Sequence, residues 1–156
     1  MFAERTLKIS LLVPADADVM KSLETFSDIA ANSMESAGKD PIMEAWRCVS
    51  LGLMAYRQGF YPTAETWCKR CLAYAEDNPC RIATAHIINS MACYQQGDLA
   101  TARMELAAGR DLVNAKLAKP LDSGNGGVGF WYDWLFAQIL QREAEALIER
   151  PAGAKE

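Results

Sequence analysis

The order of apolar and polar residues along the chain predicts an all-helical protein. Apolar residues recur at steps of three and four positions through nearly the whole sequence, whereas the strict alternation of a half-buried strand is missing. We therefore predict seven helices, over residues 3–12, 16–36, 42–58, 61–76, 80–96, 99–116 and 130–149.

Turn-forming residues separate these predicted helices. Pro14, Pro41 and Pro79 each lie between two apolar runs, and Gly59 and Gly97 each follow the end of one. Proline suits the first turn of a helix, and glycine can take the left-handed conformation that ends one. Because so few residues follow each of the two glycines before the next run, the helices on either side are expected to be antiparallel neighbours.

One part of the chain occurs twice. Residues 51–72 and 89–110 align without a gap, at a separation of 38 residues (59 to 97). A fixed period of this size, carried by pairs of helices, indicates a solenoid. The paired positions are Tyr56 with Tyr94, Gln58 with Gln96, Gly59 with Gly97, and Ala64 with Ala102.

The first copy resembles the tetratricopeptide repeat (TPR), whose usual unit has about 34 residues. That family has a large apolar residue and a glycine in the middle of its first helix, then an aromatic residue, a glycine turn, a second aromatic residue and a small residue. The resemblance implies an all-α fold, a right-handed α-solenoid of antiparallel helix pairs with capping helices at both ends. The matching residues are Leu51, Gly52, Tyr56, Gly59, Tyr61 and Ala64.

The repeat pattern also predicts how the chain is organised. A length of 156 residues suits one domain, which we expect to cover residues 1–150. Its expected parts are N-terminal capping helices over 1–41, repeat 1 over 42–78, repeat 2 over 80–118, a glycine-rich connector over 119–129, a C-terminal capping helix over 130–149 and a frayed tail over 150–156.

The two ends of the chain carry a second resemblance. The aromatic-rich stretch FWYDWLFAQILQREAEALI, together with the opening TLKISLLVP, resembles the repeat-bearing C-terminal tails of large bacterial serine/threonine protein kinases. This resemblance implies a regulatory or scaffolding role in bacterial signalling. The sequence itself contains no HRD, no DFG and no lysine-bearing kinase strand.

Composition and charge narrow the function classes. The net charge of −4 and the pI near 5.1 argue against a nucleic-acid binder, which needs a concentrated basic face. The sequence has no run of about 18 apolar residues, which a membrane-spanning helix would need. The five cysteines are an odd number, and reduced thiols in the cytoplasm are the simplest interpretation.

Two short motifs invite a chemical interpretation. Cys68 and Cys71 have the spacing of a redox dithiol, but they fall in the middle of a predicted helix at positions that the repeat fills with core residues. Residues 124–129 formally match a dinucleotide-binding glycine motif, yet no strand precedes them, so we expect a flexible connector. Zinc would need two further ligands, and we predict no metal, no cofactor and no catalytic residue.

The family's groove positions predict where a partner would bind. Transferred residue by residue, they give an apolar and aromatic concave surface, which suits an apolar or amphipathic protein segment. The same surface could instead be filled by the chain's own end helices. The predicted groove residues are Trp46, Val49, Leu53, Tyr56 and Arg57 from the first copy, and Thr84, Ile87, Met91, Tyr94 and Gln95 from the second.

Together these observations predict a non-catalytic protein–protein interaction or scaffold module. A structural homodimerisation module is one alternative, and a small thiol redox protein that uses Cys68 and Cys71 is another. Neither a nucleic acid nor a membrane is an expected partner.

Overall fold

The computed structural model describes residues 2–34, 40–75, 77–119, 123–125 and 127–149. Over these ranges the chain is all-helical apart from one pair of very short strands, which confirms the all-α part of the prediction. The elements are α1 (Phe2–Ser10), α2 (Ala17–Asn32), α3 (Pro41–Arg57), α4 (Tyr61–Leu72), α5 (Pro79–Gln95), α6 (Leu99–Leu117), β1 (Gly124–Asn125), β2 (Gly129–Phe130) and α7 (Trp131–Ile148).

Side-chain caps fix where four of the helices begin. An acidic or amide side chain precedes each of them and accepts a hydrogen bond from a backbone N–H of the first turn, which has no partner within the helix. The caps are Asp16 to the amide of Val19 at 2.9 Å, Asp40 to Ile42 at 3.0 Å, Asn78 to Arg81 at 3.0 Å and Asp98 to Thr101 at 3.0 Å.

Helices α3 and α5 are close counterparts. Each has 17 residues and begins with a proline. Each is followed by a link of three residues to the next helix, and in each link a glycine has a positive φ, of 81° at Gly59 and 84° at Gly97. The amide after each glycine bonds back to a carbonyl five positions earlier, at 2.8 and 3.0 Å. The two corners therefore have the same glycine-capped geometry.

Small residues let the paired helices approach closely. A Cβ atom added at Gly52 would lie 3.1 Å from Sγ of Cys68 in α4. One added at Gly109 in α6 would lie 2.7 Å from Cγ1 of Ile87 in α5. A side chain at Gly109 would force its neighbours to move, and one at Gly52 would need a smaller adjustment, so glycine suits the close packing of both pairs.

The predicted end of α4 was wrong. The apolar pattern extends the helix to residue 76, but α4 ends at Leu72. The carbonyl of Cys71 in the last turn accepts hydrogen bonds from the Arg81 guanidinium of α5 at 3.0 Å and from the backbone amide of Tyr74 at 3.3 Å. The predicted end of α2 at residue 36 lies outside the described residues, and α2 itself ends at Asn32.

The glycine-rich connector is more ordered than predicted. In its described part, β1 and β2 form a short antiparallel ladder that pairs Gly124 with Phe130 and Asn125 with Gly129. The Asn125 side chain accepts hydrogen bonds from two backbone amides of the turn, at 2.9 and 3.2 Å. The ladder leads directly into α7 and sets where that helix begins. The predicted frayed tail over 150–156 lies outside the described residues.

The end helices lie against the two central pairs. Helix α1 packs on α2 and α3, whereas α7 packs on α5 and α6. Buried side chains from all seven helices of the described chain join in one hydrophobic core. The end helices therefore bury faces that the two pairs would otherwise expose.

Candidate binding site

The predicted groove is not an open surface. Five of its ten residues have no exposed area at all: Val49, Leu53, Thr84, Ile87 and Met91. They belong to the hydrophobic core, and Ile87 points at Gly109 of α6. Packed helices of the same chain cover these five side chains, so they do not form an open groove in the described structure.

The other five predicted groove residues lie nearer the surface. Trp46 and Tyr56 are each 9% exposed, and Tyr94 is half-buried. Only Gln95 is open to solvent. The guanidinium of Arg57 is enclosed by neighbouring helices, as described next.

Arg57 connects α3 to both end helices. Its guanidinium donates to both carboxylate oxygens of Glu143 in α7, with Nη2 2.7 Å from Oε2. Its Nε and Nη2 also donate to the backbone carbonyls of Leu11 and Leu12, at 3.0 and 3.3 Å, at the end of α1. These four groups form the Arg57 cluster. Because the planar guanidinium of Arg57 bonds to α7 and to the residues after α1 at the same time, it fixes both end helices relative to α3.

A second buried cluster connects the end helices to each other. Nζ of Lys8 in α1 donates to Oδ1 of Asp133 in α7 at 2.7 Å and lies 3.8 Å from Oε1 of Glu4. The same ammonium lies over the rings of Trp46 and Phe136, 4.3 and 5.8 Å from their centroids. Lys8, Asp133 and Glu4 are named the Lys8 cluster.

The Lys8 cluster forms the floor of a cleft between α1, α3 and α7. The cleft has a volume of about 610 Å³, which is within the range of ligand-binding sites. Apolar and aromatic side chains make most of its walls: Ile9, Leu12, Ile42, Met43, Phe130, Tyr132, Leu135, Phe136 and Ile139. Several of these are exposed at the rim, and Ile9 is 70% exposed.

Glu4 is the least compensated member of the floor. It is only 4% exposed, and Ser50 donates to its Oε1 over a long 3.4 Å. Desolvation by burial raises the pKa of Glu4, and the opposing attraction of Lys8 and Arg5 is smaller. Asp133, by contrast, accepts close hydrogen bonds from Lys8 and from the backbone amide of Phe130.

The thiols are core side chains. All five cysteines are free and buried. Burial raises the pKa of Cys68 well above its ordinary value and that of Cys71 to about 12. A redox dithiol needs an accessible thiolate with a lowered pKa, so the surroundings of these two sulfurs give the redox alternative no support.

Other candidate chemistry lies apart from the cleft. His86 pairs with Glu105 between α5 and α6, at 2.6 Å from Nδ1 to Oε2. Within the described ranges, no three His, Cys, Asp or Glu side chains come together as a metal site. None of the described helices has both the length and the apolar character of a membrane span.

The aromatic residues at the start of α7 have divided roles. Trp134 is buried, and its indole Nε1 donates to the carbonyl of Val128 at 3.0 Å, which holds the turn against the helix. Trp131 and Tyr132 are exposed beside the cleft and contact each other edge to face. Of these three aromatic residues, only Trp134 is enclosed.

Sequence reasoning missed the cleft floor. Glu4 and Lys8 have the spacing of an ion pair on a helix face, and Lys8 lies between Leu7 in the same short helix and Leu11 just after it. That placement of charges among core leucines was the available signal. Nothing local indicates that Asp133, 125 residues away, completes the cluster.

Comparison of the chain with protein-family models, with curated proteins and with solved structures finds no match.

Proposed function

We propose that this chain is a non-catalytic protein–protein interaction module that binds the apolar face of an amphipathic helix from a partner protein. The observation that carries the proposal is the cleft between α1, α3 and α7, with its apolar walls and exposed apolar rim. Exposed apolar surface gathered around a concavity is typical of an interaction site.

The dimensions of the cleft suit a short helical segment. From Tyr132 to Ile139, both of which line the cleft, α7 extends roughly 10 Å at the helical rise of 1.5 Å per residue. That length matches about two turns of a helix lying alongside α7. Two turns present apolar residues at positions i, i+3, i+4 and i+7, which is the usual spacing of anchors in a groove.

The supporting scaffold in this proposal is a TPR-like right-handed solenoid. The pairs α3–α4 and α5–α6 would be its two repeats, with α1, α2 and α7 as caps. The equal lengths of α3 and α5, the matching glycine corners and the closely packed small residues support the repeat. Such a scaffold presents the cleft in a preformed shape, so binding has a small ordering cost.

The described lining of the cleft contains no thiol and no imidazole. Of the charged side chains at its floor, Lys8 and Asp133 are bonded to each other. This arrangement supports binding over catalysis.

The cellular setting in the proposal is cytoplasmic bacterial signalling in association with a kinase. Its support is the resemblance of the chain's two ends to kinase tails. Sequencing the reading frame upstream of Met1 tests this part, because a kinase domain there would establish the setting.

A direct binding measurement tests the proposed site. A fluorescent 16-residue peptide with leucines on one helical face should bind the native chain, and Ile139→Glu should abolish binding because it places a charge in the apolar wall. Met104→Glu is the matched control, since Met104 is exposed on α6 and does not line the cleft. Equal loss in both variants, or no loss in either, would contradict the proposed site.

The exposed rim also favours the homodimer alternative. Light scattering across concentrations separates the two: a dimer that Ile139→Glu converts to monomer would make the cleft a self-association surface. A strict monomer that binds the peptide would support the proposal.

A further inference from the structure

The floor of the cleft has a charge pattern that selects among partners. Glu4 and Asp133 share one ammonium, that of Lys8. Lys8 lies 2.7 Å from Asp133 but 3.8 Å from Glu4, so only Asp133 has a close ionic partner. Glu4 is the carboxyl group of the cleft with unused capacity to accept a hydrogen bond.

The remaining charge near Glu4 is too exposed to compensate it. Arg5 also lines the cleft, but it is exposed to solvent and its charge is screened by water and ions. Ser50 offers Glu4 one neutral donor at 3.4 Å. Burial outweighs these groups together, as the raised pKa of Glu4 shows.

We infer that the partner helix carries a basic residue within its apolar face, which reaches the floor of the cleft and donates to the Glu4 carboxylate. This inference rests on the proposed function and adds the chemistry of the partner. A lysine fits the site, because its apolar stem can lie against the walls while its ammonium reaches the floor. The net charge of −4 favours approach of a basic segment.

At the floor of the cleft, the geometry disfavours an acidic group from a partner. An incoming carboxylate would approach Lys8, whose ammonium already bonds to Asp133, and would come close to Glu4. Like charges in a poorly hydrated site repel strongly. Lys8 therefore holds Asp133 in place, and Glu4 is the carboxylate that can bind a basic group of the partner.

Three synthetic peptides test the inference on the intact chain. They share one leucine face and differ at a single central position on that face, which is Lys, Gln or Glu. Near neutral pH the Lys peptide should bind about tenfold more tightly than the Gln peptide, as a hydrogen bond to a charged group predicts. The Glu peptide should bind more weakly than both.

Glu4→Gln identifies the group responsible. In this variant the affinity of the Gln peptide should stay unchanged, while the advantage of the Lys peptide disappears. Glu24→Gln is the matched control, because it removes one negative charge from an exposed site on α2, and it should preserve the advantage.

Each remaining outcome decides the question. Equal affinity for the three peptides, tighter binding of the Glu peptide, or an advantage of Lys that survives Glu4→Gln would overturn this inference while leaving the binding site intact. Absence of binding by all three peptides would overturn the inference and the proposed function together. Since the comparison of peptides uses the unmodified chain, it stands even if Glu4→Gln fails to fold.

Discussion

The contact between α1 and α7 differs from the packing within the two central helix pairs. Between α5 and α6, packing depends on apolar side chains and on Gly109, which leaves no space for a Cβ. Between α1 and α7, contact depends on buried charges, with Lys8 bonded to Asp133. The end helices α1 and α7 line a cleft of about 610 Å³ with α3.

This difference assigns stability to the central helix pairs and recognition of a partner to the cleft beside α1 and α7. The apolar packing of the central helix pairs is buried and does not contact a partner. It gives the chain a rigid support. Buried ion pairs hold the end helices at defined positions while apolar side chains such as Ile9 and Ile139 remain exposed. The polar contacts between α1 and α7 thus lie beside the exposed apolar surface that a partner could bind.

Lys8→Met should have the largest effect on stability. The change leaves the carboxylate of Asp133 buried without its cation, and we expect the free energy of unfolding to fall by about 3–5 kcal/mol. Denaturant unfolding measures it. Lys21→Met, at an exposed site on α2, is the control and should change little. An effect of Lys8→Met as small as the control would show that the Lys8 cluster does not hold the end helices.

Gly109→Ala should have the next largest effect. The added methyl would meet Ile87 at 2.7 Å and the backbone carbonyl of Ala83 at 3.0 Å, so overpacking should cost about 1–3 kcal/mol. Gly52→Ala is the comparison within the other pair, because its closest contact is a sulfur at 3.1 Å, and it should cost less. A smaller cost at Gly109 than at Gly52 would contradict the packing described for α5 and α6.

Gly59→Ala and Gly97→Ala test whether the two corners are equivalent. Both glycines have positive φ and open space around them, so alanine meets only the backbone penalty of about 1–2 kcal/mol. We expect the two costs in thermal or denaturant unfolding to agree within about 0.5 kcal/mol, the usual error of such comparisons. Clearly unequal costs would argue against a structural repeat.

Glu4→Gln should have the smallest effect, and its sign depends on pH. Because the pKa of Glu4 in the folded chain is raised above its ordinary 4.5, ionisation of Glu4 weakens the folded state as pH rises through that pKa. The penalty is absent below the ordinary value. The variant should therefore be more stable than the native chain near neutral pH and equal to it in acid. A variant that is less stable at neutral pH would mean that Glu4 is well compensated.

Much of the fold could be predicted from the sequence because its signals are local. The three-and-four periodicity, the capping residue Asp40 with Pro41, and the glycines at 59 and 97 lie within a few residues of the structure that they specify. The end of α4 was missed, since the carbonyl of Cys71 accepts a hydrogen bond from Arg81 of the next helix. The short β ladder was missed because its turn depends on hydrogen bonds to the Asn125 side chain, which glycine content alone does not predict.

The site was harder to predict because it depends on which helices cover which faces. Groove positions transferred from a repeat family assume an open concave face, and here Leu53 and Met91 are core residues. The residues of the cleft come from both ends of the chain and from its middle, as the contact between Lys8 and Asp133 shows. No local pattern encodes a meeting across that distance.

The central claim is that the chain covers the predicted groove and exposes the α1–α3–α7 cleft instead. Methyl NMR with a soluble paramagnetic agent measures this directly. The signals of Ile9, Ile42 and Ile139 should broaden strongly, while those of Val49 and Leu53 should remain sharp. Broadening of Val49 and Leu53 to the same degree as Ile9 would show an open groove and contradict the account.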